Sequence, residues 1–227
     1  MKKPKFANEE IYHIYNRGVE KRVIFLDDED RLRFIYGLFQ FNDQYPVINT
    51  LHRLNNHHIE VEPRYDDQLV EILVFCLMPN HYHLMVRQKS DGGIVQFMKK
   101  LGTGYTMYFN QKYQRVGHLF QGRFKAIHVN RDSHLLHLPY YIHLNPLDLI
   151  APEWRKREIK DPKKSLEFLK QYRWSSYLDY IGKENFPAVI RKDFLTELYN
   201  GPEGFSADIT KWIKEMNLEK IRDVALE

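Results

Sequence analysis

Cysteine is nearly absent from this chain: one residue, Cys76, in 227. No internal disulfide can form, which suits a reducing cytoplasm, and Cys76 lies in the apolar run Ile72–Met78, where a buried structural thiol is expected rather than a reactive one. Long hydrophobic stretches are missing too. That same run is the longest and falls far short of the ~20 residues that cross a bilayer, so no membrane-embedded protein is expected. The basic start Met1-Lys-Lys-Pro-Lys has no apolar segment behind it, and a secretory leader is not expected either. Charge of one sign is scarce: 34 Lys and Arg against 30 Asp and Glu leave +4, with a pI near 8.9, which permits an acidic partner without requiring one. Neither an internal repeat nor a low-complexity tract interrupts the chain. Aromatic residues, by contrast, are plentiful at 14%, with 15 tyrosines. Aromatic faces beside Lys and Arg are what single-stranded nucleic acid stacks on, and equally what an aromatic core is made of.

The hydrophobic pattern predicts elements in the order β-α-β-β-α-β-α. Tyr12-His-Ile-Tyr-Asn-Arg-Gly18 alternates and ends in a turn glycine. Asp27 or Asp28 can cap a helix carrying Leu32, Ile35, Leu38 and Phe39. A strand is expected at Tyr45–Leu51, a long polar connection at Arg53–Gln68, and then two strands, Leu69–Met78 and Tyr82–Gln88, joined by a tight turn at Pro79-Asn80. A helix over Gly93–Tyr113 contains Gly102 and Gly104, which suggests a bend or a close approach. Phe124–Val129 reads as a strand. Asp132 or Ser133 then caps a helix stopped by Pro146, with Pro139 either kinking it or starting a new one. A closing helix is expected from Ser206. The class is α+β: a split βαβ, ferredoxin-like antiparallel sheet with helices mainly on one face. Residues 1–180 are expected to form one domain and 181–227 a helical extension.

Two sets of residues could carry chemistry. His81 and His83 are two apart on a strand, so both imidazoles leave one face and can share a metal ion. With 11 histidines about 0.5 such pairs arise by chance, and a polar pair on the solvated face of an edge strand is the competing reading. Tyr141 and Asn145 are four apart on a helix, one above the other. An amide oxygen is a hard neutral ligand suited to Mg²⁺ or Mn²⁺, so Asn145 could complete a site begun by two imidazoles. Tyr140 is the rival nucleophile, but four residues beyond it stands Leu144, which offers no ligand.

Met78-Pro-Asn-His-Tyr-His-Leu84, Tyr141-Ile-His-Leu-Asn-Pro146 and Tyr172-Arg-Trp-Ser-Ser-Tyr177, in this order, resemble the REP-associated branch of the single-tyrosine transposases, IS200-like proteins of the HUH type. The opening Tyr12–Gly18 and the segment Gly117-His-Leu-Phe-Gln-Gly-Arg-Phe124 fit as well, so the resemblance runs from Tyr12 to Tyr177. It implies that His81 and His83 are the histidine pair, Asn145 the third protein ligand of a divalent ion, Mg²⁺ or Mn²⁺, and Tyr141 the nucleophile. It implies cleavage and rejoining of single-stranded, hairpin-forming DNA through a 5′-phosphotyrosine link, by a cytoplasmic monomer or homodimer. Many relatives carry a basic residue where this chain has Tyr140.

Basic residues expected to meet the DNA are Lys99, Lys100, Arg115, Arg123, Lys125 and Arg131, close in sequence to the site elements, with Arg17, Lys21 and Arg22 added by the resemblance. The basic segment Trp154–Lys164 reads either as a phosphate grip or as an exposed linker. Three other functions compete: a replication nickase of the same fold, which usually carries a further domain that this length leaves no room for; a non-cleaving hairpin-binding protein; and a metal hydrolase in which Tyr141 only orients substrate.

Overall fold

The computed structural model describes residues 4–45, 68–156 and 158–215. Among the described residues four strands, β1 (Ile11–Arg17), β2 (Val70–Met78), β3 (His81–Gln88) and β4 (Lys125–His128), form one sheet in the order β2-β3-β1-β4. Every neighbouring pair is antiparallel. Helices α1 (Asp28–Gln40), α2 (Gly93–Lys112) and α3 (Asp132–Leu144) alternate with the strands, so the α+β class and the split βαβ order are as expected. The expected strand at Tyr45–Leu51 and the polar connection Arg53–Gln68 lie, beyond Tyr45 and Gln68, outside the described residues.

Helix α1 starts where the sequence places it: the Asp27 carboxylate accepts from the Asp30 backbone N–H, the side-chain cap that satisfies a first-turn donor. Helix α2 runs unbroken through its two interior glycines, Gly102 and Gly104, and they do different things. A Cβ at Gly104 would stand 2.3 Å from the Phe41 ring, whereas one at Gly102 meets nothing within 4 Å; only Gly104 marks a close approach, that of α1's end to α2. Lys112 adds a charged clasp between the same helices, its ammonium 3.0 Å from the buried Asp30 carboxylate and 2.8 Å from Asp27.

Side chains alternate across a pleated sheet, and the register sorts them. Tyr82 faces α1 and α2, with its ring 4.8 Å from Phe34, which in turn meets Tyr105 of α2. His81 and His83 therefore look to the other face, and there α3 lies, with Tyr141 against His83. The expectation of helices mainly on one face holds for α1 and α2; α3 packs on the opposite one.

Helix α3 begins one residue earlier than a capped start would have it: Arg131 occupies the N-cap position without a side-chain cap, and Asp132 is its first residue, where its charge still suits the helix dipole. Pro139 sits inside the continuous helix. Pro146 does not end helical backbone at once, because Asn145–Leu149 continues as a 3₁₀ turn. Among the described residues four further α-helices follow: α4 (Pro162–Gln171), α5 (Tyr177–Tyr180), α6 (Asp193–Leu198) and α7 (Gly201–Glu215). The closing helix starts at Gly201 rather than Ser206, with Pro202 in its first turn, where a missing N–H costs nothing. Tyr140 points into this C-terminal group, its ring against Tyr199, Phe205 and Trp212. The segment before α5 seals the β2 edge, since Leu77 N–H donates to Trp174 O and Ser176 N–H to Phe75 O. Among the described residues no helix is long and apolar enough to cross a membrane.

Candidate metal and nucleotide-processing site

β3 is an interior strand, and both its histidines are buried, His81 at 7% and His83 at 0% exposure; the solvated edge-strand reading does not fit. Each imidazole is held at Nδ1. The Asn80 amide donates to Lys21 O, which turns its oxygen to His81 Nδ1 at 2.6 Å. His81 Nδ1–H is then the donor, and Nε2 carries the ring's lone pair. His83 Nδ1 lies 2.9 Å from Nε2 of a third histidine, His13 of β1, itself buried. Metal-ligating imidazoles are characteristically fixed through their second nitrogen in this way.

The two rings also stand at the right separation. Their centroids are 5.1 Å apart with planes at 87°. Two imidazoles bound through nitrogen at ~2.1 Å to one ion, with a ligand angle near 100°, have centroids about 5 Å apart. Among the described residues no group of three His, Cys, Asp or Glu could hold a metal; an ion bound by these two imidazoles would need further donors of another kind, of which a neutral amide oxygen is one.

Tyr141 approaches His83 and His13 edge-on, 6.0 Å and 6.5 Å away between centroids. Its phenol oxygen accepts from Arg155 Nη1 at 3.2 Å. Asn145, fully buried, donates from Nδ2 to Tyr141 O, and its Oδ1 accepts from Arg155 Nη2 at 2.9 Å. The sequence thus brings together His81, His83 and Tyr141 on one sheet face, with Asn145 one helical turn beyond. Tyr140 faces away, its hydroxyl 3.2 Å from Asp208; burial, followed by the nearby Asp208 charge, raises its pKa well above the ordinary tyrosine value.

Beside His81 opens a cavity of about 200 Å³ lined by Tyr15, Asn16, Arg17, Gln121, Arg123 and Lys125. The register explains it: Arg17 pairs with His81, and Tyr15 pairs with both His83 and Lys125, so these side chains share a face. Lys125 Nζ lies 5.7 Å from the Tyr15 ring centre. Of the expected basic contacts, Arg17, Arg123 and Lys125 meet here. Lys21 and Arg22 follow in the turn after β1, where a Cβ on Gly18 would strike Arg22 O. Arg131 starts α3. Lys99 and Lys100 belong to α2 on the far side of the sheet, Lys100 donating to Tyr45 O, and Arg115 just beyond α2 donates to Asn110; these three are not brought to the cavity.

Residues 38–145 match the family model described as Transposase IS200 like. The His81–His83 strand and the Tyr141–Asn145 helix both fall inside the matched segment. No curated protein matches the chain. A solved structure of a REP-associated tyrosine transposase bound to a REP hairpin is similar at 12% identity and a TM-score of 0.48, covering 85% of this chain and 92% of that one.

Sequence reasoning missed two participants. His13 stands in the Tyr12–Gly18 motif, and strand alternation aligns it with Tyr15 and Arg17, but its partner in β3 depends on register. Arg155 stands in the basic run after Ala151, with nothing in its local pattern to aim it at Tyr141.

Proposed function

We propose that this IS200-like chain cleaves and rejoins single-stranded DNA by transesterification, with Tyr141 as nucleophile. The observation that carries the reading is Tyr141 set edge-on to the buried His83, whose ring stands 5.1 Å from that of the buried His81, with each imidazole held at Nδ1 so that Nε2 can serve a metal. His81 and His83, with Asn145 as third protein ligand, would hold Mg²⁺ or Mn²⁺. When bound, that ion supplies charge stabilisation at the scissile phosphate. Arg17, Arg123 and Lys125 bind backbone phosphates in the adjoining cavity, and the Tyr15 face offers a base a stacking surface. The Tyr141 oxygen forms a bond to phosphorus, the bond from phosphorus to the 3′ oxygen breaks, and the phenol proton ends on that oxygen. A 5′-phosphotyrosine and a free 3′-hydroxyl result, and the reverse attack by another 3′-hydroxyl reseals the strand without an external energy source. The three motif blocks resembling REP-associated proteins point to hairpin-forming repeats as substrate, met in the cytoplasm.

A second reading, hairpin binding without cleavage, draws on the 3% exposure of Tyr141 and its absence from the cavity lining. One experiment separates the two. Hairpins from beside the gene, labelled at the 5′ or 3′ end, are incubated with Mg²⁺ or Mn²⁺ and wild-type protein or Tyr141→Phe. Cleavage predicts a covalent adduct carrying the 3′ label, dependent on metal and lost in the variant. Tight binding with no adduct on any hairpin would favour the second reading.

A further inference from the structure

The segment after the tyrosine helix puts a guanidinium on the phenol. Arg155 Nη1 donates to the Tyr141 oxygen at 3.2 Å and Nη2 to Asn145 Oδ1 at 2.9 Å. Asp148 holds the other side of the fork, with Nε 2.8 Å from Oδ1 and Nη2 2.7 Å from Oδ2. Asp148 is itself fixed by the Trp154 indole N–H at 2.6 Å, and Trp154 is wholly buried against the Tyr141 ring. A group that touches the reacting oxygen, oriented by a carboxylate that is in turn oriented by a buried indole, follows the logic by which active sites set a donor in advance. The side chain of Arg155 is 33% exposed, so DNA phosphate can reach it.

We propose that Arg155 is a further catalytic residue of the Tyr141 reaction, which rests on the transesterification reading above. Arg carries donors only, so the phenol oxygen accepts from it and its own O–H must point elsewhere; Arg155 thereby sets the direction in which that proton leaves. In cleavage it stays beside the oxygen that becomes the ester link. In rejoining, a 3′-hydroxyl oxygen bonds to phosphorus, the bond from phosphorus to the Tyr141 oxygen breaks, and negative charge grows on the departing phenol oxygen before it takes up the proton. The guanidinium is already at that oxygen and stabilises the charge as it forms. Arg155 therefore acts more on release from the adduct than on DNA binding.

The test compares wild type, Arg155→Gln and Arg155→Lys for hairpin affinity, adduct formation and rejoining from isolated adduct. Loss of one such donor slows a charge-forming step by about 100-fold. Arg155→Gln should rejoin about 100-fold more slowly while hairpin affinity stays near wild type and the melting temperature falls with the lost Asp148 pair, and Arg155→Lys should recover part of the rate, keeping a donor without the fork. Replacing Tyr141 by 3-fluorotyrosine through amber suppression makes the phenol a better leaving group. It should speed rejoining in Arg155→Gln more than in wild type, a response that a merely structural arginine would not give. Wild-type rates in Arg155→Gln, or equal responses to fluorination, overturn the role of Arg155 alone. A wild-type protein that forms no Tyr141 adduct overturns the transesterification reading and the role of Arg155 with it.

Discussion

Replacing His13 by alanine measures how far the buried histidine pair governs ion binding. An imidazole that ligates through Nε2 must keep its proton on Nδ1, and for His83 the acceptor within reach is His13 Nε2, 2.9 Å away. His13 and His83 are 1% and 0% exposed, so the hydrogen bond is shielded from competing solvent. Loss of a partner of this kind weakens metal affinity by about 10- to 100-fold, or roughly 1.4 to 2.8 kcal/mol. The fold loses a buried hydrogen bond, about 1 kcal/mol, and the ring packing beside Tyr141. His13→Gln places an amide oxygen near the same point and should recover part of the affinity. Mn²⁺ titration calorimetry on variants whose circular dichroism matches wild type gives the answer. Wild-type Mn²⁺ affinity in His13→Ala would falsify the argument, because His83 would then owe its orientation to other neighbours.

Three further outcomes are expected. Gly104→Ala should destabilise by about 1 to 3 kcal/mol, since its Cβ meets the Phe41 ring and overpacking costs that much. Gly102→Ala, two residues away in open space, should stabilise by up to about 1 kcal/mol; urea denaturation of the pair gives both signs, and equal shifts would sink the packing argument. His143 is fully buried, and desolvation lowers its pKa to about 3. The unfolded chain therefore takes up this proton first, so stability present above pH 6.5 declines as pH falls toward 3. The decline amounts to about 1.4 kcal/mol for each pH unit. His143→Gln should flatten the acid limb of a stability-against-pH curve, and an unchanged limb would assign it to other groups.

Period-two and helical patterns made much of this molecule legible from sequence. Alternation put His81 and His83 on one face, four-residue spacing stacked Asn145 on Tyr141, and Asp27 announced the start of α1. Each of these facts is local: it needs only the geometry of a single strand or helix. What escaped is set by contacts distant in sequence. The His13–His83 bond follows from the register of β1 on β3, and the side of the sheet that α3 takes is written in no single element. Arg155 looked like part of a charged surface stretch because its contact with Tyr141 depends on Trp154 packing against that ring. Lys99 and Lys100, close in sequence to the site, lie across the sheet from it, so proximity along the chain misled where strand alternation did not. Tyr140 and Tyr141, adjacent and alike in composition, are parted by one helical step of about 100°, which sends one to the C-terminal helices and the other to the imidazoles.

The sealing of β2 by the Trp174–Ser176 segment bears on how two copies could join. A sheet can be continued by another chain only where a strand keeps an open flank, and among the described residues that flank belongs to β4. β4 begins with Lys125, part of the basic wall beside His81. A dimer built by sheet continuation would therefore crowd the cavity to which the proposed function assigns the nucleic acid strand, so growth of the sheet and entry of that substrate would compete for the same margin of the molecule.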